Sequence, residues 1–227
     1  MISAVIFDMD GTLIDTEVVS QKAWAVALRQ GGLPGDTGYI SRGFIGRSVA
    51  SITPELAELL GGLPQAEQAY LVHNQTFVEL SDAELKPKPG ARQTVVALRG
   101  RGYKVGLATS TYRGPCDRRL ARFGMEDIFD AKTCGDEINR GKPAPDIFLQ
   151  AAAALGADPA ECLVVEDSPN GVRAGHAAGM HVVFIPDLVE LPQSLLALCD
   201  AKLSSLGELE GWLSKRETGQ SSAIIGT

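Results

Sequence analysis

Short apolar runs and amphipathic stretches alternate along most of this chain. Four apolar runs have the length and composition of buried strands, at 4–7, 103–108, 162–165 and 181–185. Three amphipathic stretches have the apolar repeat of helices, at 114–123, 146–155 and 170–178. Because strand and helix alternate, the pattern predicts βαβ units and a doubly wound, Rossmann-like α/β core with a parallel sheet.

Residues 15–85 interrupt this alternation. They contain no convincing strand, and their helical stretches lie at 18–30, 49–60 and 65–80. Since the first strand precedes them and the rest of the sheet follows, a helical-bundle cap domain inserted after that strand is the simplest explanation. The predicted division is a core of 1–14 and 86–213, a cap of 15–85, and a loosely ordered polar tail of 214–227.

Composition and charge narrow the classes of function. The 227 residues are 44% hydrophobic and 22% charged, which is ordinary for a globular protein. A net charge of −7, with no basic cluster, disfavours binding to nucleic acid or to a membrane surface. No apolar stretch reaches the length of a transmembrane helix, and no basic signal-peptide region begins the chain, so we expect a cytoplasmic protein. The four cysteines are too widely spaced to indicate a zinc site or a disulfide framework.

Two carboxylates, Asp8 and Asp10, follow the first apolar run. Side chains two apart on a strand project to the same side, so both can face one small volume. Two unpaired carboxylates there would repel each other, and a divalent cation is the natural compensation. The pattern indicates a Mg²⁺-assisted site in which one aspartate attacks an electrophile and the other moves a proton. An ordinary Asp-Gly turn is the alternative, whereas a calcium-binding EF-hand loop is excluded because its final Glu is Val19 here.

Further polar groups follow the other predicted strands. Thr109 and Ser110 offer hydroxyls and amides that suit phosphoryl oxygens, and Glu166 and Asp167 form a second acidic pair. Lys142 precedes a predicted helix and could neutralise a carboxylate or a phosphate. Because the carboxyl ends of parallel strands line the ligand-binding crevice of such a sheet, we expect these groups to meet. Each motif alone is weak, but their joint occurrence in this order indicates a catalytic site.

Together these motifs resemble the haloacid dehalogenase superfamily of phosphotransferases. The resemblance is to its helical-cap subgroup, which includes phosphoglycolate phosphatase and β-phosphoglucomutase relatives, and it extends over the chain to about residue 190. The four matching motifs are Asp8-Met9-Asp10-Gly11-Thr12, then Thr109, then Lys142 in Gly-Lys-Pro-Ala-Pro-Asp, and finally Glu166-Asp167.

The resemblance implies a role for each of these residues. Asp8 would be the nucleophile that takes the phosphoryl group, and Asp10 would protonate the leaving alcohol and then activate water. Thr109 and the Ser110 amide would bind phosphoryl oxygens, while Lys142 would balance charge. The implied Mg²⁺ ligands are Asp8, Asp10 through its backbone carbonyl, Asp167 and, directly or through water, Glu166.

The implied activity is a Mg²⁺-dependent phosphatase acting on a small phosphorylated metabolite, such as a sugar phosphate or a phosphoglycolate-like acid. The cap would close over the crevice, and its loop with Gly46, Arg47 and Ser48 would face the substrate. A phosphosugar mutase of the β-phosphoglucomutase type is the alternative. Such mutases typically carry His at the position of Ser20, so the serine favours hydrolysis.

Two other interpretations are weaker. Dehalogenases of the superfamily use one nucleophilic Asp without metal or a second acid, so Asp10 and the acidic pair Glu166-Asp167 disfavour dehalogenation. A phospho-Asp signalling receiver combines similar residues, but it is about half this length and has no helical insertion. A non-catalytic binding relative would be expected to have lost Asp10, Lys142 or Asp167, and all are present.

Overall fold

The chain divides into two compact units. The computed structural model describes residues 1–33, 37–44 and 49–219. One unit, the core unit, consists of Met1–Ile14 and Pro87–Thr227, and the other, the inserted unit, is Asp15–Lys86. These bounds lie within one residue of the predicted junctions between core and cap.

The inserted unit is helical. Its helices are α1 (Thr16–Gln30), α2 (Gly38–Gly43), α3 (Val49–Leu60) and α4 (Leu63–Glu84). Their apolar faces meet around Trp24, whose ring lies edge-on to Phe44 at 5.1 Å and stacks on His73 at 4.2 Å between ring centroids. Helix α4 continues four residues beyond its predicted end because no Gly or Pro interrupts the chain there.

The core unit contains a six-stranded parallel sheet. Its strands are β1 (Ala4–Phe7), β2 (Lys104–Thr109), β3 (Ala131–Cys134), β4 (Cys162–Glu166), β5 (His181–Phe184) and β6 (Ala201–Lys202). The spatial order is β3-β2-β1-β4-β5-β6, with every neighbouring pair parallel. The predicted doubly wound α/β fold is confirmed. The chain moves outward from β1 to β3 and then resumes at β4 on the other side of β1, which puts the topological switch point between β1 and β4.

The described part of the core unit contains six α-helices: α5 (Ala91–Gly100), α6 (Arg113–Arg122), α7 (Asp146–Leu155), α8 (Pro169–Ala177), α9 (Gln193–Leu196) and α10 (Leu209–Glu217). They cover the sheet, as the apolar character of its central strands requires. Among the residues that the structure describes, no helix combines the length and the apolar character needed to cross a membrane.

The sequence prediction lacks helices α2, α5, α9 and α10, and it also differs from the structure at the edges of the sheet and in the tail. Strands β3 and β6 were not predicted, because edge strands can be short and partly polar: Lys132 lies within β3, and β6 has two residues. The loosely ordered tail was predicted to begin at residue 214, which is wrong because α10 continues to Glu217. That helix is held by buried Trp212 and Leu213, and by Arg101, which donates to Glu217 at 2.9 Å.

Candidate active site

The first acidic motif lies at the switch point of the sheet. Asp8 directly follows β1 and is only 5% exposed. The chain then turns tightly, because the backbone N–H groups of Leu13 and Ile14 both donate to the Met9 carbonyl at 2.9 Å. Gly11 has a φ of 87°, a conformation that favours glycine, so the Asp-Gly sequence is what allows this turn.

The same turn contacts the second acidic motif. The hydroxyl of Thr12 donates to Oδ1 of Asp167 at 2.9 Å. A Cβ atom at position 11 would overlap with Oδ2 of Asp167, so Gly11 is needed for space as well as for conformation. The residues after β1 and after β4 are therefore packed directly against each other.

Lys142 lies between two buried carboxylates. Its Nζ atom is 2.5 Å from Oδ1 of Asp8 and 2.7 Å from Oε1 of Glu166, and it also donates to the Ala108 carbonyl at 3.3 Å. The Lys142 side chain is only 7% exposed. Burial alone would lower the pKa of Lys142, but the charges of Asp8 and Glu166 outweigh it and hold that pKa above its usual value.

Burial has the stronger effect on Asp8. It raises the pKa of Asp8 well above its usual range, and the attraction of Lys142 opposes this shift without cancelling it. The neighbouring carboxylates of Glu166 and Asp10 add to the rise. Asp8, Glu166 and Asp10 thus share two cations, Lys142 and Arg119, and an additional cation near Asp8 would favour its charged form.

Four donors engage the carboxylate of Glu166. Lys142 binds Oε1, while the backbone N–H groups of Asp167 and Ser168 donate to Oε2 at 2.9 and 2.8 Å. The Ser168 hydroxyl donates to Oε2 as well, at 2.9 Å. Gly171 leaves room for this arrangement, because a Cβ atom there would overlap with Glu166. This carboxylate is held in a position that orients Lys142, and direct metal binding by Glu166 stays a prediction.

Asp10 is bound by donors from β2, the following loop and α6. The hydroxyls of Thr109 and Thr111 donate to Oδ2 at 3.1 and 2.7 Å. The guanidinium of Arg119 donates to Oδ1 at 2.7 Å. The Thr111 amide also donates to Oγ1 of Thr109 at 3.1 Å, which fixes the direction of the Thr109 hydroxyl.

The structure brings together most of the residues predicted for the site. Lys142 contacts both Asp8 and Glu166, and Thr109 contacts Asp10. The Asp167 amide donates to Glu166, and the Asp167 carboxylate accepts a hydrogen bond from Thr12. Ser110 is exposed in the loop after β2, where Gly135 allows close approach of the chain to its carbonyl. The predicted substrate-facing residues Gly46, Arg47 and Ser48 lie outside the described residues.

Two polar residues of the site, Thr12 and Arg119, were not assigned a role from the sequence. Thr12 belongs to the first of the four motifs, so a signal for it was present. Arg119 is one of several arginines on an amphipathic helix, and its sequence context gives no signal.

The donor atoms of the site fit Mg²⁺. All the candidate ligands offer oxygen, which this ion prefers. Within the described residues, no three His, Cys, Asp or Glu side chains form a ready-made metal cluster. Mg²⁺ does not need one, because proteins usually bind it through one or two carboxylates together with waters and substrate phosphate.

Comparison with known proteins identifies the family. Residues 2–179 match the model of haloacid dehalogenase-like hydrolases. The chain belongs to this family. Membership confirms the resemblance drawn from the four motifs, and it confirms that the protein is an enzyme of the hydrolase class.

Individual members of the family are similar over most of the chain. Hexitol phosphatase B of Escherichia coli strain K12 is 34% identical over 224 residues, which cover 92% of this chain and 94% of the relative. The bifunctional riboflavin kinase/FMN phosphatase of Arabidopsis thaliana is 34% identical over 216 residues, which cover 92% of this chain. The match covers 55% of that relative, so this chain spans about half its length.

A solved structure supports the same assignment. The crystal structure of a putative β-phosphoglucomutase from Thermotoga maritima has a TM-score of 0.76 and 29% identity to this chain. The match covers 94% of this chain and 99% of that one. The haloacid dehalogenase-like fold therefore extends through both units.

Proposed function

We propose that this haloacid dehalogenase-like hydrolase is a Mg²⁺-dependent phosphatase of a small phosphorylated metabolite, a sugar phosphate or a phosphoglycolate-like acid. The observation that carries the proposal is the contact of Lys142 with Asp8 at 2.5 Å, beside an Asp10 that Thr109 binds. Relatives named as phosphatases support the reaction class. The cytoplasmic location expected from the sequence remains a prediction.

In the first step, Asp8 attacks the phosphorus atom of the substrate. A carboxylate oxygen forms the new bond to phosphorus while the ester oxygen leaves with its bonding electrons and takes a proton from Asp10. Lys142 orients the attacking carboxylate and offsets negative charge. The donors for the phosphoryl oxygens are the Ser110 amide and the Thr109 hydroxyl, which donates to Asp10 before substrate binds.

In the second step, water hydrolyses the aspartyl phosphate. Asp10, now a carboxylate, takes a proton from the attacking water as the bond between phosphorus and Asp8 breaks. Inorganic phosphate leaves, and both aspartates return to their starting forms. The same side chain thus acts first as acid and then as base, which requires it to be held next to Asp8 throughout.

The residues that would hold Mg²⁺ are Asp8, Asp10 through its backbone carbonyl, Asp167 and, directly or through water, Glu166. The bound ion would supply positive charge for the phosphoryl oxygens and for the Asp8 carboxylate. The raised pKa of Asp8 supports this need, because burial disfavours its charged form. The Thr12 hydroxyl, at 2.9 Å, orients the Asp167 carboxylate.

Phosphate release from a panel of phosphorylated metabolites, with Mg²⁺ and with a chelator, tests the proposal. Activity should require the metal, and the Asp8→Asn and Asp10→Asn variants should lose turnover while their circular dichroism and melting temperature stay those of a folded protein. An active Asp8→Asn variant would refute the nucleophile, and full activity in the chelator would refute the metal requirement.

A mutase is the second candidate, because the Thermotoga maritima structure is described as a putative β-phosphoglucomutase. Ser20 Oγ lies 3.1 Å from Nε2 of His73, and burial lowers the pKa of His73 to about 4. An imidazole with so low a pKa is a weak base near neutrality, so the pair does not replace the missing histidine. Glucose 1-phosphate assayed for both products separates the candidates, since glucose 6-phosphate without phosphate release would indicate a mutase.

A further inference from the structure

The carboxylate of Asp10 is anchored through both of its oxygens. Oδ2 accepts hydrogen bonds from the hydroxyls of Thr109 and Thr111, and Oδ1 accepts a hydrogen bond from Nη1 of Arg119 at 2.7 Å. Donors on one oxygen alone would leave the carboxylate free to rotate about that oxygen. A donor on each oxygen fixes its plane, and with it the directions in which the oxygens can give or accept a proton.

Arg119 is itself held in place. Its Nη1 atom lies 3.2 Å from Oγ1 of Thr111, so the arginine and the threonine support each other as well as Asp10. The Arg119 side chain is 17% exposed. A charged donor that is largely shielded from water forms a stronger hydrogen bond than a surface ion pair does.

The helix that carries Arg119 is attached firmly to the sheet. The guanidinium of Arg113, at the start of α6, donates from Nε to Glu137 at 2.8 Å. One turn later, Asp117 accepts a hydrogen bond from Lys132 of β3 at 2.8 Å. These ion pairs, together with buried apolar side chains on the same helix, fix the position from which Arg119 reaches the site.

We propose that Arg119 is a positioning residue that fixes the orientation of Asp10 for proton transfer to the leaving oxygen. The inference rests on the proposed phosphatase function, in which Asp10 is the acid. Without the guanidinium, the two threonines hold only Oδ2 of Asp10, so the Asp10 carboxyl group remains in the loop but is no longer fixed in orientation. Phosphoryl transfer to Asp8 should then be slower for a substrate whose leaving group needs a proton from Asp10. It should be little changed for a substrate whose leaving group needs none.

Two substrates of similar size separate these cases. Benzyl phosphate has an alkyl-type leaving group that requires a proton, whereas p-nitrophenyl phosphate releases a stable anion without one. The kcat/KM value reports the first step with both. Arg119→Met should lower kcat/KM roughly 100-fold for benzyl phosphate, the scale of a 1 Å misplacement, and about threefold or less for p-nitrophenyl phosphate.

Three controls belong to this experiment. Arg119→Lys should recover at least about tenfold of the loss with benzyl phosphate, because an ammonium can still donate to Oδ1. Arg118→Met, on the exposed face of the same helix, should match the wild type with both substrates. Melting temperatures establish that each variant is folded, and Arg119→Ala, which also removes the donor, serves for the same comparison if the Met variant is not folded.

An equal loss with both substrates, or an unchanged kcat/KM in a folded Arg119→Met variant, would overturn the inference about Arg119. Failure of the proposed function has a different signature. A wild-type protein that releases phosphate from neither substrate nor from any member of the metabolite panel, or an active Asp8→Asn variant, would refute the phosphatase itself.

Discussion

The burial of His73 makes the stability of the inserted unit depend on pH. The residue is 9% exposed, its ring stacks on Trp24, and its Nε2 atom lies 3.1 Å from Ser20 Oγ. Burial lowers the pKa of His73 from 6.5 to about 4, because the charged imidazolium is poorly solvated among aromatic side chains. Protonation of His73 is therefore less favourable in the folded protein than in the unfolded chain.

The size and sign of the effect follow from this difference. The folded pKa is depressed, so the contribution to stability is fully present above pH 6.5 and is lost as the pH falls towards 4. Each pH unit within this window lowers the free energy of unfolding by about 1.4 kcal/mol. The expected loss is about 2 kcal/mol by pH 5 and about 3 kcal/mol by pH 4.

Urea unfolding of the wild type and of His73→Gln, between about pH 7.5 and pH 5, measures this directly. Glutamine can still form a hydrogen bond with Ser20 but does not titrate. The carboxylates are the same in both proteins, so their titration cancels when the two unfolding free energies are subtracted. Between about pH 7.5 and pH 5, the wild type should lose about 2 kcal/mol more unfolding free energy than His73→Gln does. His176→Gln, at an exposed position, is the matched control and should leave the pH dependence unchanged.

A difference that stays constant within about 0.5 kcal/mol across this range would refute the reasoning. It would mean that water or a conformational change hydrates the imidazolium in the folded protein. A shift of similar size in the His176→Gln control would refute it too, because the effect would then not belong to the buried ring.

Two further predictions concern the acidic motifs. Gly171→Ala should lower the free energy of unfolding by about 1–3 kcal/mol and reduce turnover, because its Cβ would displace Glu166 from Lys142. Urea unfolding and the phosphate assay measure this. Gly211→Ala, where a Cβ meets no atom, should leave turnover unchanged and raise the free energy of unfolding by up to about 1 kcal/mol, because alanine favours the helix more than glycine does. Thr12→Val should raise the Mg²⁺ concentration for half-maximal activity roughly tenfold with little change in kcat at saturation, since it removes the donor that orients Asp167. A metal titration that matches the wild type would contradict the role of Thr12.

The sequence predicts the centre of the fold better than its edges. Strands β1 and β4 lie in the middle of the sheet, where both faces are buried, so they appear as continuous apolar runs. Strands β3 and β6 are the two edges, and short, partly polar segments suffice there. Helix α10 is absent from the sequence prediction, because Trp212 and Leu213 anchor it through contacts that a local pattern does not reveal.

The candidate site follows the same logic. Asp8 and Asp10 were predicted because they directly follow a strand, and the topology rule places the other strand ends beside them. The contact between Lys142 and Asp8 joins residues 134 positions apart, and that between Arg119 and Asp10 joins residues 109 apart. A motif marks Lys142, whereas nothing local marks Arg119. Its role depends on how α6 is attached to β3, which only the three-dimensional structure contains.

The two acidic residues at the end of β4, Glu166 and Asp167, show that the alternation of side chains along a strand stops where the strand stops. Alternation along a strand would place Glu166 and Asp167 on opposite faces, with one of them pointing away from the site. Glu166 is the last residue of β4, however, and the chain leaves the sheet at Asp167, so both side chains reach residues of the site. Lys142, two backbone amides and a hydroxyl hold Glu166, whereas Asp167 packs against the turn that carries the Asp10 carbonyl. This difference supports Asp167 as the metal ligand of the pair and Glu166 as the residue that orients Lys142.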